Sequence, residues 1–235
     1  MSIRQHGPHL YQLTRFGSFN SYLLRDGDTL TAIDTGLSGV RTITHAARLI
    51  GLPITRLLIT HAHADHASDL DTLHTQHPDL QTYVSTRDAR FLGGERHLDP
   101  HEQLPGAALR GSYVTTRTTP TRTLQDGDQI GPFLAVATPG HTPGHLAYLD
   151  TRDGTLIAGD AYQTATGTAV SGDLKPLFPF PALATWHAPT ALQSARRLQR
   201  LNPTRLAVGH GPVLDHPTGQ MQAAADHLER RLTRN

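Results

Sequence analysis

The 235-residue chain contains no cysteine. This absence excludes disulfide bonds, thiolate catalysis and cysteine-rich structural zinc sites. A metal ion bound to this chain must therefore have nitrogen and oxygen ligands. Lysine and glutamate are also scarce, since Lys175 is the one lysine and Glu95, Glu102 and Glu229 are the only glutamates. We interpret this skew as a compositional bias, because no site argument explains it.

The chain also lacks an excess of charge and a long hydrophobic run. Lysine and arginine number 21 against 20 acidic residues, which gives a net charge of +1. This balance predicts no nucleic-acid or membrane partner, and an oligomer is possible but not indicated. The amino-terminal segment has no apolar core of the length a secretory signal needs, and no window approaches a membrane span. We therefore predict a soluble, cytoplasmic protein.

Alternating and helical hydrophobic patterns succeed one another along the chain and predict an α+β fold. A β pattern covers about 9–34, and a helix with apolar positions from Val40 to Ile50 follows it. The remaining predictions are a hairpin at 123–130, strands at 56–60, 81–85, 133–138, 145–150, 155–160 and within 205–211, and helices at 65–74, from about Ala191 to Leu201 and near 217–232. Such alternation favours two sheets packed together with helices outside. No linker is visible, so 1–235 is predicted to be one domain, with loops near the site at 93–111 and 161–187.

Four potential metal ligands occur within six residues, at His61, His63, Asp65 and His66, directly after the predicted strand at 56–60. Side chains alternate in an extended segment, so His61 and His63 point to the same side and can converge on one cation. Asp65 and His66 lie where the chain enters the next helix, so their side chains are expected to point to a second, neighbouring position. A lone histidine among the 16 in this chain is usually an ordinary surface or core residue. Four potential ligands within six residues instead indicate a metal site.

Three further segments place a potential ligand at a strand end beside a glycine. These ligands are His141, Asp160 and His210. Glycine lets the backbone turn tightly close to an ion. The motifs HAHADH, PGHTPGH, AGD and GHG, in this order, resemble those of the metallo-β-lactamase superfamily from about residue 10 to 215.

The resemblance implies a four-layer αββα sandwich with a dinuclear metal site at the sheet edge. It assigns His61, His63 and His141 to one ion, Asp65, His66 and His210 to the other, and Asp160 as a bridge between them. The residue types suit two divalent cations, with Zn²⁺ preferred and iron or manganese as alternatives.

The chemistry implied by the resemblance is attack of a metal-bridging hydroxide on the ester, lactone or thioester carbonyl of a small-molecule substrate. Asp65 is expected to orient the hydroxide or take its proton and pass it to the leaving group. Two other activities stay open on the same fold, namely a mononuclear-iron persulfide dioxygenase and a phosphodiesterase. A binding role without catalysis is disfavoured, because every ligand position of the family is filled.

Among subfamilies, the chain resembles lactonase-like and glyoxalase II-like hydrolases. β-Lactamases of this fold carry Cys or Ser where Asp160 stands, and only a short segment follows His210, too short for the helical glyoxalase II domain. Tyr162 is predicted to be catalytic, since lactonases have a tyrosine near this position that contacts the substrate carbonyl. His145 is expected either to orient a metal ligand or the loop, or simply to pack in the core.

Three aromatic residues are expected either to line a pocket for an acyl chain or to cover the core. They are Phe178, Phe180 and Trp186.

Overall fold

A computed structural model describes residues 2–234 as two compact units, each with its own sheet and helices. The N-terminal unit comprises the chain up to residue 95 together with 113–124. The C-terminal unit comprises 96–112 and the chain from residue 125. The predicted α+β class is confirmed, whereas a single domain over 1–235 stays a prediction. Across residues 2–234, every helix is too short or too polar to span a bilayer.

The sheet of the N-terminal unit has seven strands whose spatial order follows the sequence. They are β1 (Ser2–His6), β2 (Leu10–Arg15), β3 (Phe19–Asp26), β4 (Thr29–Ile33), β5 (Ile54–Leu58), β6 (Gln81–Ser85) and β7 (Arg122–Leu124). Strands β1 to β4 pair antiparallel, and β4 to β7 pair parallel. The predicted β pattern at 9–34 is confirmed as β2 to β4. Strand β1 was missed because its mostly exposed residues, SIRQH, show no apolar alternation.

Four helices belong to this unit: α1 (Val40–Ile50), α2 (Ala64–Ala67), α3 (Leu70–Gln76) and α4 (Thr86–Leu92). Helix α1 ends at Gly51, which has the left-handed conformation common after a helix. The predicted helix at 65–74 is instead divided into α2 and α3. Asp69 lies at the break, and its carboxylate accepts a hydrogen bond from the backbone N–H of Val40 (3.1 Å), at the start of α1. The break thus supplies a cap to a neighbouring helix.

The C-terminal unit contains eight strands and three helices. They are β8 (Gln129–Ile130), β9 (Phe133–Ala137), β10 (Leu146–Asp150), β11 (Thr155–Ile157), β12 (Tyr162–Gln163), β13 (Ala169–Val170), β14 (Arg205–Ala207), β15 (Leu214–Asp215), α5 (Phe180–Leu183), α6 (Ala188–Arg200) and α7 (Thr218–Leu232). Six strands form one sheet in the order β15-β14-β11-β10-β9-β8, and β12 pairs with β13 separately. Buried side chains of this sheet, such as Val136 and Leu156, form a core with Leu198 of α6 and Met221 of α7.

The two predicted loops differ in regularity. The stretch 93–111 contains only a short 3₁₀ turn, Pro100–Glu102, in which the Glu102 carboxylate accepts a hydrogen bond from the backbone N–H of Asp99 (2.8 Å). The stretch 161–187 is more ordered than predicted, because it contains the β12–β13 hairpin and α5. The sequence shows no periodic signal for these elements, because each has four residues or fewer.

Candidate metal centre

In the N-terminal unit, three of the four predicted ligands are buried histidines in ring contact. They follow β5 directly, and His61, His63 and His66 are each at most 2% exposed. The ring centroid of His61 lies 4.8 Å from that of His63 and 4.0 Å from that of His66. Three imidazoles packed so closely form a nitrogen-rich group suited to a divalent cation.

Asp34 and Thr60 fix the orientation of two of these rings. The Asp34 carboxylate accepts a hydrogen bond from Nδ1 of His66 (2.7 Å) and two from Thr60, through its backbone N–H and its hydroxyl (both 2.8 Å). Since the Thr60 hydroxyl donates to Asp34, it accepts from Nδ1 of His61 (3.0 Å). Both rings therefore carry their proton on Nδ1, which leaves Nε2 as the basic nitrogen for a metal ion.

Asp34 was not predicted as a site residue, although the sequence contains a signal for it. It follows β4 and precedes Gly36 by two residues, so it repeats the pattern of a polar residue and a glycine at a strand end. Its backbone has a positive φ of 58°, which is uncommon for a residue other than glycine. The hydrogen bonds to His66 and Thr60 hold it in this conformation.

Asp65 is the most exposed of the four predicted ligands in this unit, at 28% of its side chain. One of its carboxylate oxygens lies 3.6 Å from Nε2 of His66. The loop that carries these residues is fixed by Asp88, a second residue that was not predicted to belong to the site. Its carboxylate accepts the backbone N–H of Ala62 (2.8 Å), and its own N–H donates to the hydroxyl of Ser85 (2.9 Å), which caps α4.

In the C-terminal unit, His141, Asp160 and His210 come together around one carboxylate oxygen. Oδ2 of Asp160 lies 3.1 Å from Nε2 of His210 and 3.4 Å from Nε2 of His141, and all three residues are at most 2% exposed. Ligand atoms at about 2.1 Å from one tetrahedral ion lie roughly 3.4 Å apart. The donor types and their spacing therefore fit metal coordination.

His145 holds Asp160 in place through the backbone. Its Nε2 accepts the N–H of Asp160 (3.1 Å), so its proton is on Nδ1 and is donated to the hydroxyl of Thr138 (2.7 Å). The hydroxyl of Ser171 donates to the carbonyl oxygen of Asp160. His145 is thus a neutral residue that orients the backbone of a predicted ligand.

Thr185 orients His141 as Thr60 orients His61. Its hydroxyl donates to the carbonyl oxygen of Pro181 (2.6 Å) and therefore accepts from Nδ1 of His141 (3.3 Å). The same device, a threonine that accepts the Nδ1 proton, occurs once in each unit and leaves Nε2 for a metal ion.

The glycines beside His141 and His210 are required because another segment of the backbone passes too close for a side chain. Gly140 has a φ of 142°, and a Cβ there would lie 2.3 Å from Cα of Ala191 in α6. Gly211 has a φ of 110°, and a Cβ there would lie 2.3 Å from the backbone nitrogen of Ala165. The glycines of the PGH and GHG motifs thus let other segments pass directly against the predicted ligands.

The structure corrects the catalytic prediction for Tyr162. Its ring is fully buried in the core of the C-terminal unit, and its hydroxyl donates to the carbonyl oxygen of Ala195 in α6 (3.0 Å). Burial raises the pKa of this phenol. Two residues beyond Asp160, the chain has entered strand β12, so this side chain stabilises the core instead of contacting substrate.

Of the three predicted aromatic residues, two lie beside ligands of this unit. The ring of Phe178 lies 5.2 Å from that of His210, and the backbone N–H of Trp186 donates to the carbonyl oxygen of His141 (2.9 Å). Phe180 is instead 59% exposed at the start of α5 and contacts Phe178 (5.3 Å between ring centroids). The predicted loop at 93–111 also reaches this region, because the N–H of Ala108 donates to the carbonyl oxygen of Trp186 (3.3 Å).

The sequence model of the metallo-beta-lactamase superfamily matches residues 14–210. The chain belongs to this superfamily. Among relatives of this superfamily member, the Bacillus subtilis (strain 168) protein YobT is 43% identical over 226 residues, which cover 94% of this chain and 96% of YobT. Probable metallo-hydrolase YqgX from the same organism is 30% identical over 212 residues, covering 86% of this chain and 90% of YqgX.

Solved structures of the superfamily share the fold. TTHA1623, crystallised in a di-iron-bound form, has a TM-score of 0.64 at 26% identity and covers 88% of this chain and 94% of its own. The B3 metallo-beta-lactamase BLEG-1 has a TM-score of 0.69 at 23% identity, with 93% and 99% coverage, and so supports the fold alone. The superfamily and its named relatives identify the chain as a metal-dependent hydrolase that binds divalent cations.

Proposed function

We propose that this chain hydrolyses an ester, lactone or thioester of a small-molecule substrate with a pair of divalent metal ions, Zn²⁺ preferred, in the cytoplasm. The observation that carries the proposal is the position of Asp160, because a single carboxylate oxygen lies against Nε2 of both His141 and His210. These histidines belong to different predicted metal sets. A carboxylate oxygen placed between them is suited to bridge two ions.

The proposed ligands are divided between the units. His61 and His63 would join His141 on one ion, and Asp65 and His66 would join His210 on the other. Imidazole and carboxylate donors without thiolate suit zinc, iron or manganese. The relative TTHA1623 was solved in a di-iron-bound form, which supports a pair of ions and keeps iron as the alternative to zinc.

The metal ions, when bound, supply a water molecule of lowered pKa and positive charge for the substrate oxygen. The chain's own residues orient the proposed ligands and transfer the proton. Asp34 and Thr60 keep the protons of His66 and His61 on Nδ1, so that the basic Nε2 atoms would be the ones to bind the ions. The partly exposed carboxylate of Asp65 accepts the proton of the attacking water and returns it to the leaving oxygen or sulfur.

A carbonyl substrate is favoured over a phosphodiester by the side chains next to the ligands. In the C-terminal unit the ring of Phe178 lies 5.2 Å from that of His210, and its exposed neighbours Leu177 and Phe180 are apolar as well. A phosphate group is usually bound by cationic side chains. An apolar aromatic surface instead suits the neutral acyl group of an ester or lactone.

The test is a substrate screen combined with elemental analysis of the purified protein. Lactones, carboxylic thioesters and esters, phosphodiesters and β-lactams are offered at equal concentration, and bound zinc, iron and manganese are counted per chain. Hydrolysis of one of the carbonyl classes with two ions per chain is expected. Turnover of phosphodiesters alone would overturn the proposal. Sulfite formation from a persulfide by protein with one iron would overturn it as well.

A further inference from the structure

One continuous segment of the C-terminal unit contacts all three predicted ligands of that unit. This segment, 171–186, is called the strap below. It begins at Ser171, whose hydroxyl donates to the carbonyl oxygen of Asp160. Phe178 in its middle packs against the ring of His210, and Trp186 at its end donates its backbone N–H to His141. The strap is therefore anchored to the segments that carry these ligands, and its Phe178 ring lies against a ligand side chain.

The middle of the strap is apolar and exposed. Residues 176–186, PLFPFPALATW, include no charged side chain and no histidine. Eight large hydrophobic side chains are exposed among residues 2–234, and four of them lie in the strap, 171–186. They are Leu174 (45% exposed), Leu177 (87%), Phe180 (59%) and Leu183 (59%). An apolar patch of this kind on a folded surface usually binds something.

Both ends of the strap are fixed, so its exposure is not the result of a loose chain. Asp173 is 3% exposed and forms ion pairs with Arg231 of α7 (2.6 Å) and with Lys175 (2.9 Å). At the other end, the backbone N–H of His187 donates to the carbonyl oxygen of Gly140 (2.9 Å). The strap therefore presents a supported apolar surface, in which Phe178 contacts both the predicted ligand His210 and the exposed Phe180.

We propose that the strap binds the long, unbranched acyl chain of the substrate, which rests on the proposed carbonyl hydrolysis. The occupant is an uncharged alkyl chain because the surface offers no ionic partner between Lys175 and His187, and because the apolar surface adjoins the residues that would hold the reacting carbonyl. A compact or charged acyl group would leave this surface uncovered. Each methylene fully covered by the strap strengthens binding about fourfold.

The test compares p-nitrophenyl octanoate with p-nitrophenyl acetate as substrates of the metal-loaded protein. We expect kcat/KM to be at least about tenfold higher for the octanoate. In the Leu177→Gln/Phe180→Gln double variant, the ratio of kcat/KM for the octanoate to kcat/KM for the acetate is expected to fall about tenfold, because KM for the octanoate rises. Leu49→Gln is the matched control, since Leu49 is 68% exposed on α1 in the other unit, and it keeps the wild-type ratio. An equal ratio in all three proteins would overturn the inference.

A binding measurement separates this inference from the proposed function. Trp186 is the only tryptophan and lies at the end of the strap, so its fluorescence reports on occupancy. Decanoate is expected to change this fluorescence saturably in the wild type and in Leu49→Gln, and about tenfold more weakly in the double variant. Decanoate binding without hydrolysis of any ester would refute the proposed function and support the strap. The inference would be overturned if ester hydrolysis did not depend on chain length and the protein were a dimer that the double substitution dissociates. In that case the strap would bind a second copy of the chain.

Discussion

The two groups of predicted metal ligands differ in how the chain brings them together. In the N-terminal unit, four ligands lie within residues 61–66, and the turn after β5 suffices to group them. In the C-terminal unit, the ligands His141, Asp160 and His210 come from three separate strand ends. The first group depends mainly on local geometry, whereas the second depends on segments that pack behind it. Substitutions that disturb backbone packing behind the predicted ligands should therefore affect the second group more.

Loss of the local group should have the largest effect. His61→Ala/His63→Ala is expected to lower hydrolysis by about a thousandfold or more and to reduce bound metal, because it removes two of the proposed ligands. Activity and metal content per chain are measured together. His45→Ala, an exposed histidine of α1, is the control and should retain both. Full activity in the double variant would show that the motif at 61–66 is not a metal site.

Packing behind the dispersed group is tested by Gly211→Ala. A Cβ there would meet the backbone of Ala165 at 2.3 Å and adopt an unfavourable positive φ, so the variant should lose about 3 kcal/mol of unfolding free energy. Urea denaturation of the metal-free protein measures this loss. Gly219→Ala in α7, where a Cβ meets nothing within 4 Å, should be neutral or slightly stabilising. Equal stability of the two variants would contradict the role of close packing at His210.

The residues that orient the histidines should have intermediate effects. Asp34→Asn removes the negative charge that holds the proton of His66 on Nδ1, and Thr185→Val removes the acceptor for Nδ1 of His141. Each is expected to weaken metal binding about 10- to 100-fold, measured by competition with a chromophoric chelator. The loss should be larger for Asp34, because it contacts His66 through a charged group. Unchanged affinity in both variants would mean that other contacts orient these rings.

Acid stability gives the smallest difference between the units. In the C-terminal unit, a hydrogen bond from Arg197 (2.8 Å) holds the pKa of Asp126 below its ordinary value of 3.8. The stabilisation is complete above that value and is lost as the pH falls through it towards the lowered pKa. Arg197→Gln should cost less than about 1 kcal/mol at pH 6, because both groups are substantially exposed, and still less at pH 3. Urea midpoints at the two pH values measure this.

Asp71 in the N-terminal unit is the matched comparison. Burial tends to raise its pKa, but hydrogen bonds from the backbone of Arg117 and from Thr118 outweigh burial and lower the pKa overall. Arg117→Gln keeps the backbone N–H groups that bind the carboxylate at 2.8–3.0 Å, so acid stability should hardly change. A loss as large as that of Arg197→Gln would contradict this difference.

The sequence allowed prediction of what is local and periodic. The motif at 61–66, helix α1 and strand β6 follow from spacing within a few residues, and the glycines beside His141 and His210 indicated tight backbone passage. Asp34 and Asp88 were missed as site residues because their partners, His66 and Ala62, are distant in sequence. A pattern along the chain contains no information about such pairs.

The error on Tyr162 has a similar cause. Its position two residues after Asp160 suggested proximity to substrate, but strand β12 directs it into the core, where α6 supplies the acceptor for its hydroxyl. Proximity in sequence to a ligand does not determine which face a side chain takes. The division of the predicted helix at 65–74 likewise depends on Asp69 and its bond to α1, a tertiary contact.

The number of metal ions needed for activity tests the central claim most directly. Protein stripped with a chelator is titrated with Zn²⁺ while hydrolysis of the best carbonyl substrate from the screen is followed. The account predicts that activity reaches its plateau at two equivalents of Zn²⁺ per chain. A plateau at one equivalent, or activity that persists in the stripped protein, would contradict it.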